Sequence, residues 1–324
     1  MQLMIDPAQI EAAATRIAPH VLRTPLLHSD PLSERHGAEI LIKSEHLQAT
    51  GSFKVRGSAN FVHSLPDAQA ALGVVTASSG NHGIGVSTAA ASRGVAATIF
   101  LPSSASRSKV DQIRRLGAEI MTVDSTDSND AENAARAYAE ERSVPYVSPY
   151  NHPLIIAGQG TIGKEVLEDG GHIDTIVVAV GGGGLISGIA TWIKAKSPAT
   201  RVIAASALND RAMAASIDAG KIITPHFEPT FSDGTAGGLE GDSMTFDICR
   251  DLVDEWVDIT EVDIAVAVTN MIDDHHQLVE GSAGVAIAAA TAQAAKAPGS
   301  RIVAVSCGAN VSSDALARMI AAAS

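Results

Sequence analysis

Cysteine is scarce in this chain: Cys249 and Cys307 are the only thiols among 324 residues. A disulfide framework is therefore not expected, and a reducing, cytoplasmic setting is. Positive charge is also short. Lysine and arginine number 23 against 36 acidic residues, for a net charge of -13. Neither nucleic acid nor an anionic membrane is an expected partner, because both are bound through basic patches. No run of about 18 apolar residues is free of charges or glycines, so no membrane-spanning helix is expected. The stretch from Met1 to Ile17 carries Asp6 and Glu11 and no long apolar run, unlike a secretory leader. Internal repeats and low-complexity linkers are missing too.

What is present reads as a globular protein, with 46% hydrophobic and 18% charged residues. The length exceeds what one core usually serves, so two domains are expected. Asp6-Pro7 opens a helix, as an N-cap followed by proline at the first helical position. Strands are expected at 39–43, 73–77, 97–101, 119–123, 146–147, 175–180, 202–205 and 301–306. Helices are expected at 84–92, 108–116, 130–142, 185–196, 211–219, 245–256, 261–276, 283–295 and 312–323. Strands apolar on both faces, alternating with helices, indicate an α/β architecture of open, mostly parallel sheets covered on both sides. Active sites in such sheets lie at the carboxyl ends of the strands.

Three glycine-bearing turns lie at such ends. Gly51-Ser52-Phe53-Lys54-Val55-Arg56-Gly57 sets a lysine among small residues, where it can press against a flat ligand. Ser78-Ser79-Gly80-Asn81-His82-Gly83 offers hydroxyls and backbone donors at a helix start, which suits a carboxylate. Gly181-Gly182-Gly183-Gly184 lies between a strand and a helix and suits a phosphate. No register from Gly181 to Gly188 supplies all three glycines of the dinucleotide pattern. A nucleotide P-loop is approached at Gly158–Lys164, but Glu165 stands where a magnesium-binding hydroxyl belongs. The Asp273-Asp274-His275-His276 cluster is expected to be a solvated helix face rather than a metal site. An amine, a carboxylate cradle and a phosphate cradle together describe pyridoxal phosphate acting on an amino acid.

The chain resembles the serine/threonine dehydratase and serine racemase family, within the fold type II (tryptophan synthase β-like) pyridoxal phosphate enzymes. The residues that carry the resemblance are Ser52–Gly57, Ser78–Gly83, Ala157-Gly158-Gln159-Gly160-Thr161, Gly181–Gly184 and Cys307-Gly308-Ala309-Asn310. The resemblance implies a large cofactor-binding domain of residues 1–72 and 150–324, a small domain of residues 73–149 inserted in it, and a homodimer. It implies that Lys54 holds the cofactor, that Phe53 lies near its ring and that Asn81 binds its phenolic oxygen. Gly181, Gly182, Gly183, Gly184 and Leu185 would take the phosphate, and Cys307 the pyridine nitrogen. Ser78, Ser79, Gly80, Asn81 and His82 would hold the substrate. Tyr150, His152 and the 235–240 loop are expected to line its side-chain pocket.

The expected reaction is β-elimination from a β-hydroxy amino acid, giving a 2-oxo acid and ammonia, with Lys54 taking the Cα proton and the cofactor phosphate protonating the leaving hydroxyl. Threonine, serine, phenylserine and 3-hydroxyaspartate all fit. The leading alternative is a racemase, with Ser79 on the opposite face. Relatives activated by divalent cations carry an acidic pair where this chain has Ser206 and Ala212, so no metal is expected. No added regulatory domain is expected, in which the chain resembles the short catabolic forms.

Overall fold

The computed structural model describes residues 5–105 and 107–323. The first part of the chain forms α1 (Pro7–Ile17), β1 (Leu26–His28), α2 (Asp30–His36), β2 (Glu39–Lys43), α3 (Lys54–Ser64) and α4 (Asp67–Ala70). A middle part alternates β3 (Val74–Ala77), α5 (Asn81–Arg93), β4 (Ala97–Pro102), α6 (Arg107–Arg115), β5 (Glu119–Val123) and α7 (Ser128–Arg142). Then follow α8 (Pro153–Gly170), β6 (Thr175–Ala179), α9 (Gly184–Lys196), β7 (Arg201–Ala207), α10 (Ala212–Ala219) and α11 (Met244–Leu252). The chain closes with β8 (Glu255–Ile259), α12 (Glu261–Asp273), α13 (Gly281–Lys296), β9 (Arg301–Val305) and α14 (Ser313–Ala323).

Two sheets result. One has the order β1-β2-β9-β6-β7-β8, parallel throughout except for β1; the other is β3-β4-β5, all parallel. Strand β6 is buried at every residue, as apolar strands between two helical layers must be. Helix α1 starts as its sequence indicates: Pro7 opens it and Asp6 accepts from Ala8 N at 2.8 Å. Among the described residues, no helix is long and apolar enough to cross a membrane.

Two helical expectations need correction. The helix expected over 245–256 stops at Leu252, and Glu255–Ile259 pairs with β7 as an edge strand. The chain is turned into the sheet by Asp254, whose N–H donates to Val202 O while its carboxylate accepts from Val202 N and Lys194. Similarly, α12 ends at Asp273, and His276 sits at φ +55° beyond it. The Asp273–His276 cluster is thus not one helix face: Asp274 pairs with Arg35, and His275 bonds Ser29. The expected strand at 146–147 is a single bridge from Tyr146 to Val75.

Helix α8 positions the site. The P-loop-like stretch Gly158–Lys164 lies inside it and forms no loop. A Cβ on Gly158 would stand 2.6 Å from Gly57 Cα, and one on Gly188 2.2 Å from Ile156 O. Backbone therefore meets backbone on both sides, fixing the starts of α3 and α9 relative to each other. Charge adds to the clamp. The buried Arg56 guanidinium donates to Glu45 at 2.7 Å and to Glu165 at 2.7 Å, and Lys43 Nζ reaches Glu165 at 2.5 Å. Burial alone would raise the Glu45 carboxyl, but Arg56 beside it holds it below the usual range.

Gly188→Ala is expected to destabilise the protein by about 2 kcal/mol or more, since the added carbon meets backbone that cannot yield. Gly241→Ala, with no atom within 4 Å of the added carbon, should change stability by less than about 0.5 kcal/mol. Urea denaturation at constant slope measures both.

Candidate active site

The three glycine turns converge on one cavity of about 1100 Å³, lined by Phe53, Lys54, Ser78–His82, Gly181–Leu185 and Cys307. The lysine loop is zipped to the segment after β9. Ser52 bridges Gly308, Phe53 N donates to Cys307 O at 3.0 Å, and Ala309 N donates to Gly51 O at 2.8 Å. Lys54 thus begins α3 at the cavity floor, with Nζ 5.3 Å from the Phe53 ring centre. Nζ donates to Pro149 O at 2.8 Å. Burial lowers its pKa to about 8, with Cys307 and Glu280 acting in the opposite direction. A lysine poised there is a usable base and nucleophile near neutrality.

The serine loop follows β3 and leads into α5. Ser78 Oγ accepts from Gly80 N at 3.1 Å, and Ser79 faces the cavity. Gly83 cannot be another residue, since a Cβ would lie 2.1 Å from Ser78 O. His82 lines the wall but is not a base. Burial and the charge of Lys54 lower its pKa to about 3, and its Nε2–H donates to Val147 O at 2.9 Å. Asn81 is held on both sides of its amide. It donates to the two Glu280 oxygens at 2.9 and 3.1 Å and accepts from Asn310 Nδ2 at 2.6 Å. Glu280 also accepts from Asn310 N. Glu280, buried at the start of α13, is the site residue that sequence reasoning missed. Its only signal is an acid directly before Gly281, where a Cβ would strike Phe231 O at 2.0 Å.

Each of the four glycines is forced by what stands behind it. A Cβ at Gly181 would meet Thr235 O at 2.4 Å, and one at Gly182 the Tyr150 ring at 2.5 Å. Gly183 has φ +83°, and a Cβ at Gly184 would stand 2.9 Å from Tyr150 Cα. The first N–H groups of α9 have no partner within their own helix and are available to an anion. Cys307 is buried, and burial with the nearby Glu280 charge keeps its thiol protonated well above the usual range.

Of the expected side-chain pocket, Tyr150 and Thr235–Gly238 line the cavity. His152 does not: its Nδ1 caps α8 by accepting from Leu154 N, and its ring stands edge-on to Phe61. Among the described residues, no group of three or more His, Cys, Asp or Glu could hold a metal ion. Ser206 is buried in β7, while Arg211, one residue before Ala212, pairs with Asp258 and Asp218.

The lowered Lys54 pKa has a defined consequence for the cofactor-free protein. A cation with a folded pKa below its unfolded value opposes folding. That cost is full below pH 8, and it disappears as pH rises from 8 towards 10.5. Lys54→Met should therefore be more stable than wild type below pH 8, by up to roughly 3 kcal/mol. The advantage should shrink above pH 8, as measured by denaturant titration of both proteins across that range.

A family of sequences described as pyridoxal-phosphate dependent enzymes matches residues 17–308. The L-threonine ammonia-lyase of Thermotoga maritima is 40% identical over 88% of this chain and 71% of its own length. The serine racemase of Arabidopsis thaliana is 42% identical over 88% of this chain and 85% of its own. The solved structure of maize serine racemase superposes with a TM-score of 0.91 at 35% identity, covering 98% of this chain and 97% of that one. With the family model matching most of the chain, and a lysine, a carboxylate cradle and a phosphate cradle around one cavity, the chain belongs to the pyridoxal-phosphate dependent enzymes.

Proposed function

We propose that this enzyme eliminates the β-hydroxyl of a neutral β-hydroxy amino acid, such as threonine or serine, to give a 2-oxo acid and ammonia. The observation that carries the reading is Lys54, whose depressed pKa of about 8 places a base in a cavity between a carboxylate loop and a phosphate turn. The residues fit pyridoxal phosphate: four glycines leave a side-chain-free cradle, and among the described residues the lysine amine bonds a backbone carbonyl alone. In this reading Lys54 holds the cofactor, Phe53 borders its ring, Asn81 meets its phenolic oxygen, and Gly181–Gly184 with Leu185 bind its phosphate. Bound there, the cofactor supplies an electron sink for the charge left at Cα.

The protein's own residues do the rest. Ser78, Ser79 and Gly80, at the α5 N-terminus, hold the substrate carboxylate by hydroxyl and N–H donation. Lys54 removes the Cα proton, since its amine is partly neutral at physiological pH. The protonated Cys307 offers the ring nitrogen no negative charge, which suits an elimination in which electrons leave promptly with the hydroxyl. His82, neutral and bonded to Val147, shapes the wall beside the substrate.

The cavity favours a neutral side chain. Asp127, Glu132, Asp233 and Glu280 line it against only Lys54 and Arg115, a poor setting for the second carboxylate of 3-hydroxyaspartate. A homodimer in the cytoplasm is part of this proposal. Leu22, Leu47 and Leu278 are 51%, 43% and 44% exposed. They lie on segments tied together by Gln48–Leu22 and His46–Gln277 bonds, an apolar patch suited to a second copy. Residues 73–149, which hold the three-stranded sheet, would act as the smaller domain.

An oxo-acid assay with threonine, serine, phenylserine and 3-hydroxyaspartate tests the reading. Threonine or serine should be fastest and 3-hydroxyaspartate slowest; the reverse order would refute it. The racemase reading has one observation in its favour: Ser79 lines the cavity, and in that reading its hydroxyl is the second base beside Lys54. On the racemase reading, Ser79→Ala spares elimination from the L-enantiomer and abolishes racemisation, whereas the loss of a carboxylate-holding hydroxyl lowers both activities together. An equal fall in both activities would make Ser79 a carboxylate-binding residue alone.

A further inference from the structure

Asn81, Glu280 and Asn310 lie far apart in sequence and close on one another in the cavity wall. Asn81 opens α5, beside the three-stranded sheet, whereas Glu280 precedes α13 and Asn310 follows β9 of the larger sheet. Asn81 Nδ2 donates to the two Glu280 oxygens at 2.9 and 3.1 Å, and Asn81 Oδ1 accepts from Asn310 Nδ2 at 2.6 Å. Asn310 Nδ2 also donates to Thr50 O at 2.9 Å. A carboxylate and a backbone carbonyl can only accept. Each amide nitrogen is therefore assigned by its partner, and neither amide can turn over without setting like against like.

The chain leaves room for this clasp. Glu280 N donates to Gly308 O at 2.9 Å, and Glu280 Oε2 accepts from Asn310 N at 3.1 Å. A Cβ at Gly308 would lie 2.5 Å from Glu280 Oε1, and one at Gly51 2.7 Å from Asn310 Oδ1. Gly51 thereby ties the clasp to the loop that presents Lys54. One donor remains. The two N–H bonds of a planar amide diverge too widely for both to reach one carboxylate, so a single Nδ2–H serves Glu280. The other has no acceptor among the described residues, and Asn81 lines the cavity.

We propose that Glu280 is a positioning residue: through Asn81 it keeps an N–H, and not a carbonyl oxygen, turned to the cofactor's phenolic oxygen. That oxygen is thereby held in its ionised form, because a hydrogen bond to the charged form of a group favours it. The proposal rests on the reading above, in which Asn81 meets this oxygen. It holds for elimination and racemisation alike.

The cofactor-loaded protein reports the balance by its absorbance, since the ionised form absorbs at longer wavelength than the protonated one. Glu280→Gln replaces one of the two acceptors at Asn81 Nδ2 by a donor. The ratio of the long- to the short-wavelength band should fall about tenfold or more. Asn81→Ala should lower it comparably, and the double variant no further than Asn81→Ala alone. If Glu280→Gln leaves the ratio unchanged, or lowers it by the same factor with and without Asn81, Glu280 does not act through Asn81. The proposal is then overturned alone. Asn310→Ala opens the other side of the clasp without changing any charge, and it decides the matter if Glu280→Gln holds no cofactor. A fall in the ratio supports the proposal, and an unchanged ratio overturns it. A ratio untouched by Asn81→Ala overturns the reading of Asn81, and this proposal with it.

Discussion

A guanidinium with no access to solvent anchors the site. Arg56 stands two residues after Lys54 and is clasped by Glu45, just after β2, and Glu165 on α8. Removing any one partner would leave a buried charge uncompensated, a cost far above that of a surface ion pair. The pairing is therefore satisfied only when β2, α3 and α8 take one mutual arrangement. That arrangement points the first residue of α3 into the cavity. The glycine contacts at Gly57–Gly158 and Gly188–Ile156 act in the same direction, because they let α3, α8 and α9 approach to backbone distance. Lysine and phosphate turn are thus held at a fixed separation by helices that themselves contribute little to the cavity wall.

The cavity electrostatics follow from how deeply the lysine is buried within it. The acidic excess of the chain lies largely elsewhere. Around Lys54, burial dominates, and the nearby Glu280 and Cys307 only partly offset it. Glu280 is a buried carboxylate within reach of the amine's field, and it accepts hydrogen bonds from Asn81 and from Asn310 N. It can hold a donor amide in place without fully restoring the lysine's charge. A carboxylate directly on Nζ would raise the amine's pKa and remove the base from service.

The fold was largely legible because its cause is local. β3, β6 and β9 are short apolar runs ended by glycine or serine turns, and the two glycine-rich turns after β3 and β6 stand at the strand ends where a parallel sheet places its ligands. Edges were less legible. In β8, Trp256 and Val257 are only half-buried, so its pattern does not separate it from the end of the preceding helix. Helix α8 approaches a P-loop pattern that Glu165 breaks, because its glycines serve helix packing, which leaves the same letters as a phosphate turn. Lys54 and the glycines could be found from residue type and spacing. The clasp of Asn81 by Glu280 and Asn310 could not, since those residues lie 199 and 229 positions away in sequence. His152 was misjudged through its neighbour: one residue past Asn151 the chain has begun a helix, and the imidazole is consumed in capping it.

Tyr150 shows how these constraints meet. Its ring is the reason that Gly182 is a glycine, and its backbone and Cβ the reason that Gly184 is one, so the phosphate turn takes its shape from a residue outside it. Its hydroxyl is set by Glu240, and Glu240 is paired with Arg136 on α7, beside the three-stranded sheet. A shift of α7 relative to the larger sheet would therefore disturb the Glu240 carboxylate first, then the phenol, then the phosphate turn. A surface ion pair is weak on its own. This one is coupled to a wedged aromatic ring and to a backbone N–H, so its geometry reaches the cavity even though its energy is small. The same residue that closes the phosphate turn from behind thus links it to the mobile-charge chemistry in front, where Lys54 hangs from the adjacent carbonyl.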